Sequence, residues 1–548
     1  MVGRSSYCWS NAPESAPLTR HLTVIDESTG RAPRRSALIS YGASLILGVA
    51  HAASFGPLAG WWLQLLSLAG LIVILYGAKA PPTSGRSFLA VMSFGLGGFV
   101  AGLSWMYISM NRYGGMPAPM AATAVVLLSL YLGAFGALAA TLARRLAGSD
   151  ASTRNDLAMA LLFAGCWTLG ELARGYLLTG FPWLSIGYAH LGGILDHFAP
   201  TLGVYGVGLF AALTSFGLAL VIINFGRGRS VLVGLALVVL PAALALGLAG
   251  INWVQPSGKP FRARLLQGNI AQDMKFDPAR TRATMKTYVD MVQAGSADLT
   301  VLPETAWTVP WRVTPPEIAE RLRGYAAAGN TLVIGMPLEV GAPDAATQGP
   351  RVANSVAVIG SDGQVISHYD KRHLVPFGEF VPAMFGWFVR MMEIPLGDFA
   401  RGSSAQAELQ LRDQRIGFNV CFEDLFGEEL AVQVRAGATV LVNVSNLAWF
   451  GESHALDQHL AISRMRALEL GRPMLRATNT GVTAVIDSDG EVMAKLPIST
   501  RAVLEARVQG FDGLTPYARY ANLPALALAL LLVAAGAGLC SRGQRRTR

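Results

Sequence analysis

The sequence predicts a chain in two parts: a polytopic α-helical membrane bundle of about eight spans, and an α/β domain with mixed sheets placed before the last span. Three observations carry this reading. Hydrophobic residues fill 52% of the 548 positions and charged residues only 14%, where soluble domains carry about 25% charged residues. The apolar residues gather into runs close to the roughly 20 that a spanning helix needs. From 252 to 520 the pattern changes to alternating strand and helix signals.

Residues 1–35 are polar, with Arg31, Arg34 and Arg35 just before the first apolar run. A cleavable leader would carry a short apolar stretch nearer the start, so a cytoplasmic tail and an uncleaved span are expected. Apolar runs at 37–55, 58–78, 88–110, 119–143, 156–178, 201–225 and 230–251 make a bundle over 36–251. Residues 179–200, aromatic and interrupted, read as a loop at the membrane surface. A final run at 522–540 gives a last helix over 521–541, and 542–548 is a basic cytoplasmic tail.

The basic residues set the expected orientation. Lys79, Arg86, Arg144, Arg145, Arg154, Arg227 and Arg229 fall in loops on the side of both termini, and the opposite short loops hold little beyond Arg112 and Arg174. Residues 252–520 are then expected outside. The formal charge of +9 is spread beside apolar segments, which argues against a nucleic-acid partner.

Within 252–520, "RARLLQGNI" (262–270) and "DLTVLPET" (298–305) read as strands around a helix at 278–295. "VANSVAVIG" and "QVISHYD" flank Ser361-Asp362-Gly363 and predict a hairpin. "QRIGFNVC" and "TVLVNVS" are strands separated by a helix-like 424–436, and 453–470 is a further helix. Of the four cysteines, Cys8, Cys166, Cys421 and Cys540, only Cys421 falls in this segment, so no disulfide can form within it. No Cys or His spacing suggests zinc, and neither metal nor cofactor is expected.

In α/β domains ligands meet the carboxyl ends of strands. Three such ends carry reactive groups: Glu304 in "VLPETAW", Lys371 and Glu379 in "YDKRHLVPFGEF", and Cys421 in "FNVCFEDLF". Glu423 and Asp424 follow the thiol, and carboxylates disfavour a thiolate, so a reactive Cys421 needs a cation and a base from elsewhere. Taken singly, each of these residues also fits a solvated loop or a packed core.

In this order the three segments resemble the Glu–Lys–Cys triad of the carbon–nitrogen hydrolase (nitrilase) superfamily. "LPET", "HLVPFGE" and "RMRALELGRPMLRATNTGVTAVID" narrow the resemblance to the apolipoprotein N-acyltransferase family, over 262–508. The resemblance implies a nitrilase-like αββα sandwich on the periplasmic face of a bacterial inner membrane. It implies Glu304 as base, Lys371 as stabilising cation and Cys421 as nucleophile, with Glu379, Phe422 and Glu423 in support. Cys421 would take an acyl chain from a phospholipid, typically phosphatidylethanolamine, as a thioester. The α-amine of a diacylglyceryl-cysteine at an apolipoprotein N-terminus would then accept it. Phe276, Asn446 and Trp449 are candidate substrate contacts.

The sequence departs from the family pattern at Phe276, where Trp is common, at Phe422, where Tyr is common, and at Leu447, where Asp is common. A membrane-tethered amidase or nitrilase-type hydrolase would use the same triad with water as acceptor. A transporter with a large outer domain would show internal repeats, and none is evident over 37–251. Glu171 and Arg174 are expected to pair one turn apart on a helix, and "GLGGFVAG" (95–102) to be a close helix-packing surface. His51, His368 and His373 are expected in structural or surface roles.

Overall fold

The apolar runs form helices α1 (Ser28–Ala53), α2 (Trp61–Tyr76), α3 (Ser84–Gly102), the short α4 (Trp105–Ile108), α5 (Ala118–Ala147), α6 (Asp156–Tyr176), α7 (Ala199–Ile223) and α8 (Gly228–Leu248). This computed structural model describes residues 28–547 except 57–59, 78–82, 149–154, 226–227, 276, 342–350, 383–385 and 387–398. Six described helices are long and apolar enough to cross a membrane, the chain's last helix among them, while Ala37–Ala53 and Trp61–Tyr76 are shorter apolar helices. The span count of about eight read from the sequence thus includes two short members. Helix α1 begins at Ser28, inside the stretch read as a polar tail.

Glycines let these helices touch backbone to backbone. A Cβ on Gly95 would lie 2.7 Å from the Gly133 Cα, and one on Gly48 would meet the Phe94 carbonyl oxygen at 2.0 Å. "GLGGFVAG" is therefore the packing surface of α3 against α1 and α5. The last helix (Leu523–Thr547) returns to α6, where a Cβ on Gly165 would sit 2.7 Å from the Ala529 carbonyl oxygen.

The α/β domain holds two six-stranded mixed sheets. The first runs in the order β12 (Ala502–Asp512), β1 (Gln255–Gln267), β2 (Leu299–Val301), β3 (Thr331–Glu339), β4 (Val352–Ile359), β5 (Val365–Asp370). The second runs β11 (Val492–Lys495), β10 (Ala484–Ile486), β9 (Met474–Thr478), β8 (Val440–Ser445), β7 (Gln414–Val420), β6 (Leu409–Leu411). Side chains alternate faces along a strand, and the cores follow that period. Phe261, Ala263 and Leu265 of β1 meet Val440, Val442 and Val444 of β8 between the sheets. Leu332, Ile334 and Met336 of β3 face outward onto α10 (Pro278–Gln293) and α11 (Pro316–Ala327), in a core with Met285, Tyr288 and Leu322. Leu441 faces α12 (Gly427–Ala436) and α13 (Ala455–Leu470), with Leu430 and Leu456. The layers are α, β, β, α, with the hairpin expected at Gly363 in place between β4 and β5.

One apolar cluster joins the two parts. It runs from Leu68, Phe94 and Phe163 in the bundle through Trp183 to Phe422, Phe426 and Ile462 in the α/β domain. Polar contacts cross the same boundary: the Val204 N–H donates to Glu469 at 2.6 Å, and Asn522 donates to Glu428 at 3.2 Å. Residues 179–200, read as a loop at the membrane surface, are mostly buried within the protein, with short 3-10 turns at Ile186–His190 and Ile194–Phe198.

Candidate active site

Glu304, Lys371 and Cys421 leave the carboxyl ends of β2, β5 and β7, which the two packed sheets bring to one edge of the sandwich. Glu304 is 7% exposed and held on both oxygens. Its Oε1 accepts from Asn354 Nδ2 at 2.8 Å and lies 3.5 Å from Lys371 Nζ, and its Oε2 accepts from the Asn446 backbone N–H at 2.8 Å. Thr305, next in the chain, sits at φ 49, so the turn that presents the carboxylate is strained.

Lys371 is 1% exposed. Its Nζ donates to Glu379 Oε1 at 2.9 Å, and Asn354 bridges the two carboxylates by donating to Glu379 Oε1 at 2.7 Å. The second Glu379 oxygen accepts from the Val375 N–H at 2.9 Å. Burial alone pulls the Lys371 ammonium down. Glu379, then Glu304 and the Cys421 sulfur, outweigh that and hold it above its ordinary value. The lysine therefore stays charged.

Cys421 is partly exposed and opens a 3-10 turn, Cys421–Leu425, with φ 53. Its carbonyl accepts from His459 Nε2 at 3.2 Å. Burial pushes the thiol up, Glu304 adds to the effect and Lys371 opposes it. The resting sulfur is therefore a thiol. Glu423 acts as a clamp. Its Oε1 accepts from the Tyr369 hydroxyl at 3.0 Å and the Arg372 and His373 N–H groups at 2.7 and 3.0 Å, and its Oε2 accepts from the Val420 N–H at 2.7 Å. One carboxylate thereby ties the Lys371 loop to the Cys421 turn. Burial pushes Glu423 up to about 7, against the pull of the His373 N–H, the Lys371 charge and the Val420 and Arg372 N–H groups.

A second buried row lies behind the sulfur and was not read from the sequence. Arg476 pairs with Asp424 at 3.3 Å and donates to His459 Nδ1. His459 must then carry its proton on Nε2, facing the Cys421 carbonyl. Burial, reinforced by Arg476, holds this imidazole well below its ordinary value, so it is neutral. Lys275 was also missed. It is fully buried and its Nζ donates to the Glu304 carbonyl at 3.2 Å. Burial pulls its ammonium down to about 7, with Glu304 opposing. A polar Asn in the buried strand "VANSVAVIG" was the available signal for Asn354.

The three candidate substrate contacts fare differently. Phe276 lies outside the described residues. Asn446 is 3% exposed, donates from its side chain to Gln272 at 2.9 Å and accepts from Asn479 at 3.1 Å, while its backbone N–H holds Glu304. Trp449 is 37% exposed and meets Tyr113 edge-on at 6.2 Å, at the rim toward the bundle. Phe422 packs against Phe181 at 6.2 Å and against Phe426 at 5.5 Å, which turns the nucleophile's neighbour toward the aromatic loop of the bundle. Arg174 lies 3.7 Å from Glu171, as expected, yet its shorter bonds run to the carbonyls of Phe181 and Trp183 at 2.8 and 2.6 Å. It braces that loop. His373 stacks on Phe426 and lies 3.0 Å from the Thr179 carbonyl oxygen, a structural role. Among the described residues no cluster of His, Cys, Asp and Glu could hold a metal ion.

Comparison with known proteins agrees with this division of the chain. Residues 262–512 match the carbon–nitrogen hydrolase family, and residues 47–217 match the apolipoprotein N-acyltransferase N-terminal domain. An apolipoprotein N-acyltransferase of Ralstonia nicotianae is 48% identical over 89% of this chain and 91% of its own. One of Bordetella bronchiseptica is 42% identical over 91% of this chain and 96% of its own. One of Nitrosomonas europaea is 39% identical over 92% and 98%. With two matching domains in the same order and this identity over nearly the whole length, the chain belongs to the apolipoprotein N-acyltransferase family.

Proposed function

We propose that this membrane enzyme moves an acyl chain from a phospholipid, phosphatidylethanolamine in the first instance, to the α-amine of a diacylglyceryl-cysteine at an apolipoprotein N-terminus. Glu304, Lys371 and Cys421 are its catalytic residues. The observation that carries this is the joint between the two parts: the buried ammonium–carboxylate cluster stands beside a thiol whose neighbour Phe422 packs on the bundle's Phe181.

In the first half-reaction the Cys421 sulfur bonds to the ester carbonyl carbon and its proton passes to Glu304. Lys371 stabilises the negative charge on the tetrahedral oxygen. The ester C–O bond breaks, and Glu304 returns the proton to the departing lysophospholipid alkoxide. In the second half the amine nitrogen bonds to the thioester carbon and gives a proton to Glu304. The C–S bond then breaks and the sulfur recovers that proton. Glu379, Asn354 and Glu423 position these groups. The domain scheme follows the sequence reading: a bundle over 36–251, a catalytic domain over 252–520 in the periplasm, and a final helix over 521–541 in the inner membrane, with both tails cytoplasmic.

Intact mass spectrometry with phosphatidylethanolamine alone should give one acyl adduct per chain, on Cys421. A diacylglyceryl peptide with a free α-amine should discharge it as an amide, and the N-acetylated peptide should not. Continuous release of free fatty acid without acceptor, as fast as amide formation, would make the protein a lipid hydrolase instead.

A further inference from the structure

Two tryptophans from separate parts of the bundle share one acceptor in the catalytic domain. Trp105 opens α4, just beyond the end of α3, and Trp183 lies in the aromatic loop. Both are buried, at 4% and 1% exposure, so each indole N–H needs a partner. Gln458 Oε1 accepts from Trp183 at 2.7 Å and from Trp105 at 3.3 Å, using both lone pairs of one amide oxygen. Its amide nitrogen donates at 3.1 Å to the carbonyl of Gly102, the last residue of α3, an oxygen that His454 Nε2 also meets at 3.1 Å.

The next residue, His459, bonds the Cys421 carbonyl and stacks on Trp183 with ring centroids 5.6 Å apart. The two tryptophan rings meet at 5.0 Å, and Phe450 packs against both, 4.4 Å from Trp105 and 6.4 Å from Trp183. A single turn of α13 thus holds two walls of the bundle on one residue and the nucleophile's peptide on the next. We infer that Gln458 is a positioning residue that keeps the end of α3 and the aromatic loop in register with Cys421. It sets where a phospholipid ester arrives and does not act on the thiol. This inference rests on the phospholipid donor proposed above.

The test compares two electrophiles on the same full-length protein: iodoacetamide, which needs only the thiol, and phosphatidylethanolamine in mixed micelles, whose ester must also be placed against the thiol by the surrounding walls. Both are read as mass adducts on Cys421. Gln458→Leu should alkylate within about twofold of wild type and lose about 10²-fold in acylation, the size expected when a reacting group is displaced by about 1 Å. Equal acylation in Gln458→Leu would overturn the inference, as would alkylation falling in step with acylation. Should that variant fail to fold, Gln458→Glu decides. It keeps an acceptor for both indoles and loses the donation to Gly102, so acylation should drop by about tenfold with alkylation unchanged. Wild-type rates for both reagents would overturn the idea. A wild-type chain that takes no acyl group from phosphatidylethanolamine would overturn the donor assignment, and this inference with it.

Discussion

Glu379→Gln isolates the charge on Lys371. At an effective dielectric of about 20, opposite unit charges 2.9 Å apart, the spacing of Lys371 Nζ and Glu379 Oε1, attract by about 6 kcal/mol. The amide keeps one hydrogen bond to the ammonium, which returns about 1 kcal/mol. The remaining loss lowers the Lys371 ammonium by about 3 to 4 pH units. The sign is fixed by the native state. Lys371 is held above its ordinary value, so its charge is complete at neutral pH and is lost only as pH rises through that elevated value. In Glu379→Gln the same loss should arrive at much lower pH. The assay is Cys421 acylation from phosphatidylethanolamine in micelles between pH 6 and 10. Wild type should show no fall from Lys371 on the alkaline side. The variant should be slower by about 10²-fold, the usual loss when an oxyanion partner is weakened, and should fall further as pH rises. A variant with the wild-type rate and the wild-type profile would refute the role given to the Lys371–Glu379 pair.

Other outcomes follow from the same geometry. Cys421→Ala should form no acyl adduct while remaining folded, and Glu304→Gln should lose about 10²- to 10⁴-fold in acylation, both read by intact mass against time. Glu423→Ala leaves three backbone N–H groups and the Tyr369 hydroxyl without their acceptor, each at about 1–3 kcal/mol, so thermal unfolding should show a loss of at least about 3 kcal/mol. Because burial and Glu304 raise the Cys421 thiol, its alkylation by iodoacetamide should keep rising above pH 9, where a free cysteine has levelled off. Single cysteines at Gly341 and Arg545 should label from opposite sides of the membrane, and labelling from the same side would contradict the orientation.

What the sequence disclosed and what it hid divide along a physical line. Glu304, Lys371 and Cys421 stood out as candidates because each follows a strand end, where polar chemistry can surface, and because in that order they resemble the carbon–nitrogen hydrolase triad. The sheets were legible because Val440, Val442 and Val444 alternate with residues for the other face. The bundle was legible from bulk hydropathy alone. Hidden were contacts between groups far apart in the chain: Asn354 with Glu304, Trp183 with Gln458, Arg476 with Asp424. In sequence Gln458 and His459 look like the polar residues of any amphipathic helix, because nothing local tells a solvated amide from one that holds two indoles. The aromatic loop was read as lying at the membrane surface, and its burial within the protein was hidden for a related reason. Its Pro182, Gly180 and Gly187 mark turns, and only the packing of α7 and α13 around those turns buries it.

The carboxylates beside the nucleophile find their explanation in where their charges go. A bare Glu423 and Asp424 next to Cys421 would oppose any negative charge on sulfur. In the fold neither is bare. Four donors converge on Glu423, and Arg476 and Ser463 meet Asp424. Their charge is spent on holding two backbone segments: the turn that lifts Cys421 into a left-handed conformation and the loop that carries Lys371. The carboxylates that face the sulfur's surroundings, Glu304 and Glu379, are bound to that same lysine. In the proposed reaction, proton transfer from the thiol to Glu304 moves charge within a cluster already neutralised on one side. The negative charge that develops on the ester oxygen is then met by an ammonium that burial has not been able to discharge.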